Sequence, residues 1–196
     1  MNQAMVSSWF QKWSEIINIE KIYISDLDNA IGDGDHGFNM SKGVSAYLEV
    51  RPTKQVDSIA DELKLMGMTL LSKVGGASGP LFGSAFLAMA KLAVDKSELS
   101  QDEIADMLQA GIDSIMFRGK AQFGEKTMVD FWIPAIKQFR QGQLTEKSIN
   151  ELVEATGPTK ATKGRASYLG DRSIGHIDPG SYSSGILFKT LLDAIN

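Results

Sequence analysis

Apolar residues along this chain recur at steps of three and four, the spacing that lines up one face of an α-helix. Ile59, Leu63, Met66, Leu70 and Val74 mark one such face. Phe82, Ala85, Phe86, Met89 and Leu92 mark a second, and Ile104, Met107, Leu108, Ile112 and Ile115 a third. Ser100 and Glu103 precede the third at capping-box spacing, where each side chain satisfies a free backbone N–H of the other. Shorter stripes run through Trp9/Trp13/Ile16, Val44/Tyr47/Leu48, Met128/Phe131/Trp132/Ala135/Phe139, Ile149/Leu152/Val153 and Leu187/Leu191/Ile195. About eight helices follow, and no stretch alternates as a half-buried strand does. The predicted class is all-α, with the aromatic residues of the stripes in the core.

Glycine interrupts this pattern at four places: AIGDGDHG (30–37), VGGASG (74–79), RGKAQFG (118–124) and the long GPTKATKGRASYLGDRSIGHIDPG (157–180). Each reads as a helix junction, where glycine permits positive φ and close approach of backbone to a ligand. The last is too long for an ordinary connection, so it is either a functional lid or disordered. No repeat, low-complexity tract or boundary divides the chain, and residues 1–196 are expected to form one domain.

Composition narrows the functions. A net charge of −4 gives no basic surface for nucleic acid. The absence of cysteine excludes disulfides, thiolate metal sites and thiol nucleophiles, and two histidines exclude a multi-histidine metal site. No apolar run approaches the roughly 20 residues that cross a bilayer, and the first residues lack the pattern of a signal peptide. A cytoplasmic protein with no membrane partner is the simplest expectation.

The sharpest local signal is Asp28-Asn-Ala-Ile-Gly-Asp33-Gly-Asp35-His36-Gly37. Carboxylates this close repel one another unless a cation compensates them, and their hard oxygens suit magnesium or calcium. A calcium-binding EF-hand fits poorly, because counting from Asp33 the twelfth position is Val44 where a bidentate Glu is required. Gly32, Gly34 and Gly37 match G-x-G-x-x-G, yet no strand precedes them and bare aspartates would repel a pyrophosphate. The alternative to a metal site is a solvated acidic turn with Asp35 capping the next helix.

If the aspartates hold magnesium, the metal is a docking point for phosphate oxygens. Gly75-Gly-Ala77-Ser78-Gly-Pro80 leads into a helix with Pro80 as its expected first residue, and N–H groups at such a start favour anions. No P-loop lysine follows, so most of the neutralisation would fall to metal ions. Tight helix packing is the competing explanation of these glycines. The long segment adds Lys160, Lys163, Arg165 and Arg172, and its end, Asp178-Pro179-Gly180, reads as a helix start with Asp178 as N-cap. His176 reads as a packed or surface histidine rather than a catalytic one, and Lys163 as solvated.

Together, LDNAIGDGDHGFNM (27–40), GGASGPLFG (75–83), GEKTMVD (124–130) and GRASYLGDRSIGHIDPG (164–180) resemble the nucleotide-binding L subunits of dihydroxyacetone kinases. The resemblance covers nearly the whole chain in order. It implies a barrel of about eight antiparallel helices with ADP or ATP and two magnesium ions at one end. It makes Asp28, Asp33 and Asp35 the metal ligands. It places His36, Gly37, Asn39, Ala77 and Ser78 at the phosphates, and Gly119, Thr127 and Met128 near adenine and ribose. Arg165 becomes the lid arginine, and Asp178, Pro179 and Gly180 close over the nucleoside. No side chain is expected to carry a phosphoryl group covalently, so the nucleotide itself alternates as the bound carrier. The implied partners are a dihydroxyacetone-binding K subunit and an M subunit of the phosphotransferase system that rephosphorylates the ADP. A transcription regulator and a second copy of the chain are further candidate partners. The alternatives are a separated kinase domain using exchangeable ATP, a regulatory module read in its ADP or ATP state, and a relative acting on another acceptor. The helical domain standing alone favours the three-subunit arrangement.

Overall fold

The computed structural model describes residues 1–196, which form eight α-helices and two short 3-10 segments. In chain order they are α1 (Gln3–Ile31), α2 (His36–Val50), α3 (Ile59–Lys73), α4 (Ser78–Leu92), α5 (Gln101–Gly119), α6 (Met128–Arg140), α7 (Glu146–Glu154) and α8 (Pro179–Ile195). The 3-10 segments are Arg51–Thr53 and Arg165–Ser173. Helices α1 to α6 pack in succession, α6 and α7 both lie against α8, and α8 closes on α1. The result is the expected all-helical barrel, in which consecutive helices alternate in direction and α6 and α8, both starting at one rim, run parallel where they touch.

Each stripe buries the face it marks. Leu63, Met66 and Leu70 of α3 meet Phe82, Phe86 and Met89 of α4 in one continuous core with Trp9, Phe10, Trp13, Trp132 and Phe188. The aromatic rings meet mostly edge-to-face, as between Phe10 and Phe86 at 5.0 Å and Trp132 and Phe188 at 5.0 Å. The three buried indoles are satisfied by α8: Trp9 donates to Leu187 O, Trp13 to Ser183 O and Trp132 to Ser184 Oγ. Leu92 departs from expectation, being 45% exposed. The buried position one turn beyond Met89 falls to Ala93 instead, because four residues track the core face there better than three.

Alternation of direction matters most for function. Odd-numbered helices finish at one end of the barrel, and even-numbered helices begin there. The starts of α2, α4, α6 and α8 thus bring four positive dipole ends to a single rim.

Candidate active site at the rim of the barrel

A cavity of about 470 Å³ opens at that rim, lined by the first residues of all four even-numbered helices. The aspartates reach it from two elements. Asp28 sits on the last turn of α1, and the loop proper begins only at Gly32, later than the sequence suggests. A Cβ at Gly32 would lie 2.2 Å from Asp28 Oδ1, so only glycine fits beside this carboxylate. Asp28 Oδ2 accepts the N–H groups of Asp35 at 2.9 Å and His36 at 3.1 Å, which folds the loop back over the helix end. One carboxylate oxygen of each of Asp28, Asp33 and Asp35 lies within 4.8 Å of the others. Burial pushes the Asp28 carboxyl above its usual range, opposed by its two backbone hydrogen bonds and reinforced by the charges of Asp33 and Asp35. A divalent cation at this point removes that penalty, so the residues fit a metal of the oxygen-loving kind.

Helix capping shows what else the rim is built for. Asn2, Ser58, Ser100, Thr127, Thr145 and Asp178 each cap their helix with a side-chain hydrogen bond. Only α2 and α4 lack one, and both open on the cavity. Asp35 stands at the N-cap of α2 but makes no cap bond, so the acidic-turn alternative loses its capping role. At α4 the helix starts at Ser78 rather than at Pro80, which falls in its third position. At α2 two of the first amides are taken from α1, that of His36 by Asp28 Oδ2 and that of Phe38 by Ser25 Oγ. The uncapped start of α4, beside a carboxylate cluster, accommodates an anion that arrives with its own cation.

His36 ties three elements together. Its Nδ1 lies 2.7 Å from Ser78 Oγ and its Nε2 2.9 Å from Ser183 Oγ. Burial holds the imidazole down to about 4, so it is neutral at physiological pH. Ser183 also donates to Gly180 O, which leaves it to accept from Nε2–H while Ser78 donates to Nδ1. The ring therefore fixes the spacing between the aspartate loop, the glycine loop and α8.

The long fourth segment is ordered. Ala161 N–H donates to Ser173 Oγ, Gly175 N–H to Gly157 O and Thr162 N–H to Glu125 O. Its tip, Lys163 to Ala166, forms one wall of the cavity, and Arg165 Nη2 stands 3.0 Å from Asp33 Oδ2 across the mouth. Lys163 is half-buried there rather than free in solvent, while His176 is exposed, the surface alternative of the two. Asp178 caps α8 through Ser181 N–H at 2.6 Å, and burial pushes its carboxyl up to about 6.

Of the residues expected at the site, Asp28, Asp33, Asp35, His36, Ala77, Ser78, Thr127, Met128, Arg165, Asp178, Pro179 and Gly180 line the cavity. Gly37, Asn39 and Gly119 do not. A Cβ at Gly37 would lie 2.0 Å from Lys21 O, so this glycine lets α2 approach α1. Asn39 lies beside Gly75 and Gly76, and Gly119 faces Leu81 of the cavity wall. Sequence reasoning missed Lys126, Leu81 and Phe82, which also line the cavity. Leu81 and Phe82 look like core residues in sequence, and no local signal separates Lys126 from an ordinary surface lysine.

A helical barrel whose rim gathers three carboxylates, an uncapped helix start and a cationic lid has the groups to take a phosphate together with a divalent metal. Comparison with known proteins narrows this. Residues 30–193 match the DAK2 domain. The chain is 47% identical over 187 residues to the PTS-dependent dihydroxyacetone kinase, ADP-binding subunit DhaL, of Lactococcus lactis, covering 95% of each chain. It is 40% identical over 202 residues to the PEP-dependent dihydroxyacetone kinase, ADP-binding subunit DhaL, of Escherichia coli, covering 97% of this chain and 96% of that one. Its fold matches the crystal structure of the dihydroxyacetone kinase from C. freundii in complex with AMP-PNP and Mg2+. There the TM-score is 0.76 at 21% identity, over 98% of this chain and 34% of that one. The chain belongs to the DAK2-domain family, with the ADP-binding L subunits of dihydroxyacetone kinases.

Proposed function

We propose that this chain is the ADP- and ATP-carrying subunit of a dihydroxyacetone kinase. It hands a phosphoryl group from bound nucleotide to dihydroxyacetone on a partner K subunit. The ADP left behind is rephosphorylated in place by a phosphotransferase-system M subunit. The observation that carries the reading is the convergence of four helix N-termini on a cavity that also holds three clustered carboxylates. Neither feature alone suits a nucleotide, since aspartates repel phosphate and bare amides do not bind magnesium. Together they suit a magnesium nucleotide, and the names of the relatives supply the acceptor and the donor system.

Asp28, Asp33 and Asp35 would hold the metal, which when bound neutralises phosphate charge and orients the terminal phosphoryl group. His36 keeps Ser78 and α8 in register, so the amides at the start of α4 would face a fixed anion position. Arg165, paired with Asp33 in this structure, would exchange that carboxylate for a phosphate oxygen. Met128, Leu81 and Phe82 give the cavity an apolar wall for a base. The Ser78 hydroxyl is held by the buried His36 ring and the Thr127 hydroxyl by Val129 N–H, so on this reading transfer rests on positioning and charge stabilisation. Reconstitution with candidate K and M subunits tests the reading. Dihydroxyacetone phosphate should form from phosphoenolpyruvate with only catalytic amounts of ADP. Formation that needs stoichiometric free ATP would instead establish the exchangeable-ATP kinase.

A further inference from the structure

Lys126 is the only buried lysine of the chain, 1% exposed at the foot of the cavity. Burial lowers its affinity for a proton, partly offset by the charges of Asp178 and Asp130. Its ammonium nonetheless makes no ion pair. All three of its donors go to backbone carbonyls, those of Thr156 at 2.8 Å, Gly157 at 3.0 Å and Thr159 at 3.0 Å. The first two carbonyls follow the end of α7, where a cation also meets the negative end of the helix dipole. The third begins the lid.

Its neighbours carry the same junction. Glu125 O accepts from Thr162 N–H of the lid, and Thr127 O accepts from Ser181 Oγ of α8. Thr127 itself caps α6. Lys126 adopts φ +58, a left-handed conformation that a residue with a Cβ rarely holds without tertiary support. That conformation turns the side chain inward toward the three carbonyls. Beyond this root the lid tip reaches the barrel's charged groups only through Arg165 and Asp33, an exposed pair worth little.

We propose that Lys126 is the positioning residue of the lid. By gathering three carbonyls at the root it keeps Lys163 and Arg165 over the cavity, and so sets how long a bound nucleotide is retained. This rests on the nucleotide reading above. The ammonium is fully engaged by the lid root, so Lys126 acts through the lid and not as a phosphate ligand. Lid opening is the step that releases an enclosed ligand, so loss of the clamp falls on dissociation.

The test uses the full chain loaded with magnesium and ADP, and the variant Lys126→Met, which keeps the stem and removes the donors. Chase with excess unlabelled ADP should show dissociation faster by about tenfold or more, with association changed by no more than about threefold. Hydrogen exchange should quicken at the amides of Thr162 and Gly175 while those of α3 keep their protection. A folded variant with wild-type dissociation overturns the inference, as does exchange that quickens equally in lid and core. If the variant does not fold, the wild-type protein decides. There the lid amides should open no faster than ADP leaves, and lid opening far faster than release refutes the clamp. Failure of the wild-type chain to bind magnesium–ADP at all would instead remove the nucleotide reading, and this inference with it.

Discussion

Asp178 gives a sharp test of how the site is built, because its carboxyl is buried where a charge is unwelcome. It caps α8, and asparagine at the same place caps a helix equally well. Asp178→Asn therefore keeps the hydrogen bond to Ser181 N–H and removes only the charge. Burial raises the carboxyl from an ordinary 3.8 to about 6, against the pull of the Ser181 hydrogen bonds and Lys126. Between pH 4 and pH 6 the folded protein thus holds this proton while the unfolded chain has lost it. Stability from this group falls as pH rises through that window and stays low above it. At 1.36 kcal/mol for each pH unit the difference amounts to about 3 kcal/mol. His36, held down to about 4, acts with the opposite sign over nearly the same range, and Asp28 with the same sign as Asp178. Both are common to the two proteins and cancel in the comparison. Urea unfolding of the ligand-free proteins from pH 4 to pH 8 should show equal stabilities at the acid end. Asp178→Asn should then gain progressively, reaching about 1 to 3 kcal/mol at pH 7. Parallel pH profiles would refute the buried charge, and a variant less stable throughout would show that the charge itself supports the cap.

Asp33→Ala and Asp35→Ala should each abolish magnesium–ADP binding by calorimetry while circular dichroism stays native, since both side chains are exposed and neither caps a helix. Binding unchanged in both would remove the metal assignment. Arg165→Ala should lower turnover in the reconstituted system by at least about tenfold, or roughly 1.4 kcal/mol of barrier, with magnesium binding kept. Near-normal turnover would leave the lid without a phosphate role. Magnesium–ADP at a thousand times its dissociation constant should add about 4 kcal/mol to unfolding, and an unchanged Tm would contradict an enclosed site.

The helices were legible because their packing faces obey one period, as Ile59 to Leu70 show. So were the local caps: Ser100 and Glu103 make both bonds of their box, and Asp178 begins α8 behind Pro179. Other features depend on tertiary structure and left little trace. The length of α1 was blurred by apolar Ile19, Ile22 and Tyr23 facing outward and polar Ser14 and Ser25 facing inward. The start of α4 was misplaced because it has no side-chain cap, and its bare end is part of the site. Lys126 was invisible because its acceptors lie 30 to 33 residues away and its left-handed backbone has no sequence signature. In the aspartate loop, spacing suggested a metal without excluding an acidic turn. The structure withdraws the capping part of the turn alternative, since Asp35 stands at the N-cap of α2 without a cap hydrogen bond.

On this reading the rim cavity carries a nucleotide through the three aspartates. The most direct test is the nucleotide content of the purified protein, denatured and quantified by mass spectrometry, beside Asp33→Ala prepared identically. Close to one ADP per wild-type chain is expected, and almost none in the variant. A wild-type chain free of nucleotide that also fails to take up added magnesium–ADP, or a variant that retains ADP as fully as the wild type, would contradict this reading.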